Sequence, residues 1–139
     1  MRFRFRLEKV LRVRRIEEEQ EREVFLARQR DLQEAKARLE KLQHERREVA
    51  QFGYGQRDLH IRTAMYNYLE HIDKKIAQQR QVVLDCQNRL SLAREAWLNA
   101  RQKKELLEKL KEKRFSEWVQ DEQRAEQKLL DDMGNRARA

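Results

Sequence analysis

Proline is absent from this chain of 139 residues, and glycine occurs only at Gly53, Gly55 and Gly134. Average usage would supply roughly 5% proline and roughly 7% glycine, so little interrupts a helix except the Gly53-Tyr54-Gly55 stretch. The remaining residues are dominated by Arg, Lys, Glu, Gln, Leu and Ala, all strong helix formers. Disordered chains of similar polarity are richer in Pro, Gly and Ser. The sequence therefore predicts long helices broken once, near position 54.

Charged residues make up 42% of the chain and hydrophobic ones 39%, too little apolar content for a thick core. A thin two-helix seam suits that ratio. From Leu7 to Val49 apolar residues recur at spacings of three and four: Leu7, Leu11, Phe25, Leu32, Ala35, Leu39, Leu42 and Val49. Arg14, Glu18, Glu21 and Arg28 interrupt the same stripe. A second seam runs through Met65, Leu69, Ile72, Ile76, Val83, Cys86, Leu90, Ala93, Trp97, Ala100 and Leu107, interrupted by Gln79 and Lys104.

Gly53 and Gly55 can supply the positive φ angles of a chain reversal. The expected fold is all-α, a long antiparallel two-helix coiled-coil hairpin with an unequal, longer second helix. One domain covers 1–139: helix one about 5–51, a bend about 52–59, helix two about 60–132, and a disordered tail about 133–139. Residues 1–6 could extend as helix or as a strand-like arm, because Arg and Phe alternate there with period two. Folding at the bend sets Leu42 beside Ile72, Leu39 beside Ile76, Leu32 beside Val83 and Phe25 beside Leu90. Further out, Glu18 falls near Trp97 and Arg14 near Ala100, which predicts a weaker stretch of zipper. The start of the chain then meets residues near 112, leaving Phe115, Trp118, Val119, Leu129 and Leu130 on an overhang with nothing to cover them. Exposed aromatic stripes of that kind mark partner surfaces.

The formal net charge of +8 permits binding to acidic protein, nucleic acid or anionic membrane. The single cysteine, Cys86, excludes an intrachain disulfide. Neither a signal-peptide core nor a transmembrane run is present, so the expectation is a soluble, cytoplasmic protein. Carboxylates such as Glu17-Glu18-Glu19 have no cleft to desolvate them for acid–base work. His44, His60 and His71 lack the spacing of a zinc site, and Gly53-Tyr54-Gly55 lacks the Gly-Lys-Ser/Thr ending of a phosphate loop. No enzyme activity, metal or cofactor is expected.

Two basic clusters meet at one end of the hairpin: Arg2, Arg4, Arg6, Lys9, Arg12, Arg14 and Arg15, with Arg101, Lys103, Lys104, Lys109, Lys111, Lys113 and Arg114. An acidic protein partner would complement them. The alternatives are a nucleic-acid-binding basic coiled coil, disfavoured because acids alternate with the bases, and a stalk or stator rod of another secretion system or rotary ATPase. Phe52, Tyr54, Tyr66 and Tyr68 cluster near the bend, either capping it or forming a second docking surface.

Four stretches, Phe5-Arg6-Leu7 with Val10-Leu11, Tyr68-Leu69 with Ile72, Ile76 and Gln79, Leu107-Glu-Lys-Leu-Lys-Glu-Lys113, and Glu126-Gln-Lys-Leu-Leu-Asp-Asp132, run in an order that resembles the FliJ family of the flagellar type III export apparatus. The resemblance implies a coiled coil similar to the central stalk of rotary ATPases, its paired termini entering the ring of the export ATPase hexamer. Phe5, Arg6, Arg14, Lys104, Lys111, Phe115 and Trp118 are the positions expected at that ring. It also implies docking on the cytoplasmic domain of the transmembrane export gate through Leu42, Tyr68, Ile72 and Gln79, and contact with export chaperones. The implied location is cytoplasmic, peripherally associated with the inner (cell) membrane at the flagellar base, in the service of motility and chemotaxis.

Overall fold

A computed structural model describes residues 2–138. Two helices pack against each other, α1 (Glu8–Tyr54, 47 residues) and α2 (Leu59–Arg138, 80 residues), and no strand occurs among the described residues. This is the expected all-α antiparallel coiled-coil hairpin with the longer second helix.

The helix ends have local causes. The α1 helix begins at Glu8, whose carboxylate suits the positive end of the helix dipole; the Glu8 N–H donates to the Phe5 carbonyl at 3.2 Å. At the start of α2, Asp58 is the N-cap, its Oδ1 accepting the His60 N–H at 2.9 Å. The expected end of helix two at 132 does not coincide with the observed one, since α2 runs through Gly134 to Arg138. A lone glycine costs a helix only about 1 kcal/mol, and Arg136 and Arg138 in the last turn favour its negative end.

The glycines of the bend do not act as the sequence predicts. No glycine has a positive φ among the described residues, and α1 continues through Gly53 to Tyr54. Gly53 is buried because Met65 packs where a side chain would start: an added Cβ would lie 1.4 Å from the Met65 Sδ. Close approach of α2, rather than left-handed backbone, is what requires glycine there.

The described residues divide into two compact units, one of Glu21–Trp97 and one of the segments up to Gln20 and from Leu98 onward. In the first, Leu32, Ala35, Ile72, Ile76 and Ala93 are buried, and Phe25, Leu39, Leu42, Val49, Met65, Leu69, Val83, Cys86 and Leu90 are half-buried. Gln79 occupies a seam position and donates its amide to the Ala35 carbonyl at 3.0 Å. In the second, Leu11 and Ala100 are buried with Leu7, Leu107 and Leu110 half-buried around them. The interrupting residues Arg14, Glu18, Glu21, Arg28 and Lys104 are half-buried as well, so the stripe keeps its course where its chemistry changes.

The Phe25 ring stacks on Trp97, centroids 5.3 Å apart and planes at 17°, two turns beyond the Leu90 expected beside it. Helical side chains lean toward their own N-terminus. In an antiparallel pair two long side chains therefore meet tip to tip although their backbones lie several residues apart in register. Gln79, reaching a backbone carbonyl, keeps closer to the expected register.

Candidate functional site

Seven residues expected at the ATPase ring, Phe5, Arg6, Arg14, Lys104, Lys111, Phe115 and Trp118, all fall in the unit built from both chain ends. Three ion pairs cross between helices there: Glu8 with Lys111 at 2.9 Å, Arg15 with Glu108 at 3.4 Å, and Glu18 with Lys104 at 3.9 Å. Arg14 turns instead along its own helix to Glu17 at 3.1 Å. The hydrogen bond from Lys111 holds the Glu8 carboxyl below its ordinary value of 4.5. Water still reaches these half-buried pairs, so they add little stability; their effect is to commit Lys104 and Lys111 to partners within the chain.

The aromatic overhang is not bare, contrary to expectation. Arg2–Phe5 form an arm without regular secondary structure, and Arg6-Leu7 the turn that leads into α1. Along this arm the period-two pattern is realised: Phe3, Phe5 and Leu7 are half-buried, while Arg2, Arg4 and Arg6 are exposed. The Phe3 ring meets Phe115 edge-on at 5.3 Å and Trp118 at 6.0 Å, and Phe115 stacks with Trp118 at 6.0 Å. The arm thereby carries on along α2 from the Glu8–Lys111 pair, Phe3 lying opposite Phe115 and Trp118. Phe3, Arg4, Phe5, Arg6, Leu110, Arg114, Glu117, Trp118 and Asp121 line a groove of about 460 Å³. Phe115 remains 49% exposed, and beyond it Leu129 and Leu130 are exposed, as expected.

Of the residues expected to face the export gate, Ile72 is only 2% exposed, a core residue that no partner reaches without opening the seam. Gln79 is likewise engaged with Ala35, and Leu42 is half-buried beside Glu45 in a shallow depression. Tyr68 lies outside and donates its hydroxyl to the Glu45 carboxylate, which raises the phenol pKa above its ordinary value. Nearby, Arg46 and Asp73 pair at 2.6 Å. Phe52, Tyr54 and Tyr66 are exposed, with Tyr54 and Tyr66 lining a groove of about 710 Å³ together with Gly53, Arg57, Arg62 and Met65. These rings do not cap the bend. No group of His, Cys, Asp and Glu that could hold a metal occurs among the described residues, and no helix is long and apolar enough to cross a membrane.

Sequence reasoning missed Phe3, although the Arg-Phe alternation announces which residues turn inward, and it missed the outward-facing Val13 and Ile16. Their signal was present as apolar residues lying off the seam.

Fold and surfaces together define a two-helix coiled-coil protein with aromatic and cationic groups gathered in the unit that holds both chain ends. The family model for the flagellar FliJ protein matches residues 3–138, and the chain belongs to that family, a non-catalytic component of the flagellar export apparatus. Neither the curated proteins nor the solved structures contain a match to it.

Proposed function

We propose that the chain is a stalk-like adaptor of flagellar protein export, engaging the export ATPase ring with the end formed by residues 1–15 and 101–132. The bend engages the cytoplasmic domain of the export gate, and export chaperones bind the same chain. It acts in the cytoplasm, peripherally associated with the membrane at the flagellar base. The observation that carries the reading is the convergence, in one unit, of exposed Arg2, Arg4 and Arg6 with the Phe3–Phe115–Trp118 cluster. A cationic end suits an acidic protein lumen, and large aromatic groups in a partly open groove are the side chains that most often anchor protein interfaces. Exposed Phe52, Tyr54 and Tyr66 support a second docking surface at the bend. There Ile72 would support neighbouring contacts from within rather than make them.

The test is ATP hydrolysis and ring assembly by the purified export ATPase at physiological salt, with and without the full chain. Acceleration is expected, and Phe115→Ala/Trp118→Ala should weaken it roughly tenfold while helicity is kept. No acceleration by an intact hairpin overturns the stalk reading; full acceleration by the double variant overturns the placement of the site.

A further inference from the structure

Around residues 9–16 the α1 helix carries apolar side chains on two faces. Leu11 is buried, and Arg14 and Glu18 are half-buried on the same side, which fixes the inward direction. At about 100° per residue, Val13 and Ile16 project away from α2, and Val10 lies at the flank; they are 51%, 55% and 41% exposed. Nothing in the seam requires an apolar residue at either outward position. The ridge is bordered by Lys9 and Arg12, both exposed and neither in an ion pair among the described residues. Glu8, whose carboxylate also feels the Arg12 charge, pairs with Lys111, and Glu17 pairs with Arg14.

We infer that this aliphatic ridge, Val13 and Ile16 with Val10 at its edge, is a docking face for an acidic protein surface that offers a shallow apolar cleft. Lys9 and Arg12 supply the charge that such a surface complements, and the β-branched side chains supply apolar area that holds its shape at little entropic cost. A nucleic acid would use the cations and leave the ridge idle. An anionic bilayer would take both, but Glu19 and Glu23 are exposed one and two turns further along the outward face, where a continuous negative surface would repel them. A protein wall places its charges discretely and accommodates the change of sign. The inference rests on the proposed stalk reading in one respect, that the wall is the lining of the ATPase ring. Contact would then pass through α1 as well as through the aromatic cluster that Phe3 already partly covers.

The experiment measures binding of the full chain to the purified export ATPase hexamer at two salt concentrations, for wild type, Val13→Ser/Ile16→Ser, Lys9→Gln/Arg12→Gln and Phe115→Ala/Trp118→Ala. All the ridge and charge positions are exposed, so circular dichroism should show unchanged helicity. The ridge variant is expected to bind about tenfold more weakly with unchanged salt dependence, and the charge variant to bind more weakly with a shallower one. Wild-type affinity in both, with loss only in the aromatic variant, overturns the ridge and leaves the stalk reading standing. Absence of wild-type binding overturns the occupant named here together with that reading. Ridge-dependent binding to phosphatidylglycerol vesicles, with ring binding unaffected, overturns it in favour of lipid.

Discussion

Gly53 and Gly55 sit two residues apart and answer to different constraints. An added Cβ at Gly55 meets only the Phe52 carbonyl, at an ordinary 3.8 Å, and no positive φ forbids it. Gly55→Ala should therefore raise stability by about 0.4–1 kcal/mol through the unfolded chain. At Gly53 the gain in helix propensity, about 1 kcal/mol, is opposed by expulsion of the Met65 thioether from its packed position. Gly53→Ala should lower the urea midpoint where Gly55→Ala raises it, and equal behaviour of the two would refute the packing role of Gly53. Tyr68 offers a titration at the same scale. The Glu45 carboxylate accepts its hydroxyl and lifts its pKa above the ordinary 10.0. A raised folded-state value means that this contact stabilises the fold fully below about pH 10 and is lost as pH rises through the folded value. Tyr68→Phe should remove a phenolate absorbance step lying above pH 10, and Glu45→Gln should bring that step down.

Among the elements, the seam is thin enough that one polar side chain matters to its register. Gln79 crosses to a carbonyl that α1 already uses in its own ladder, so replacing it leaves no orphaned acceptor. Gln79→Leu should raise thermal stability by about 1 kcal/mol, and it should loosen register, because polar seam residues specify alignment at a cost in stability. Cysteine crosslinking between neighbouring rungs would show it, as added products beyond the wild-type pairing. The seam was legible from spacing alone: every apolar residue assigned to it, from Leu7 to Leu107, is buried or half-buried. Less legible were contacts between long side chains. Heptad counting aligns Cα atoms, whereas Phe25 and Trp97 meet through side chains that lean toward each other along the seam, each toward the N-terminus of its own helix. Ile72 shows the limit for sites, since a good seam position and a docking position carry the same apolar signal. The arm could not be decided either, because its conformation depends on Phe3 finding Phe115 and Trp118 more than a hundred positions away.

For the molecule as a whole, the exposed area is 11831 Å², whereas a compact monomer of its 17.1 kDa would expose about 7,800 Å². Unfolding consequently uncovers less new surface than is usual for the length. The urea m-value should fall about a quarter below that of a compact protein of equal mass, and a value at or above the compact expectation would point to burial against a second chain. Order of synthesis adds a further consequence to the contact between the arm and α2. The arm and α1 are synthesised before α2, and Phe115 and Trp118 follow Phe3 by more than a hundred residues. At about 5–20 residues per second, the nascent chain spends several seconds with Leu11, Leu32 and Ala35 open to other polypeptides. Those seconds are when wrong pairings are most accessible, and closure of Phe3 over its aromatic partners marks the end of that interval.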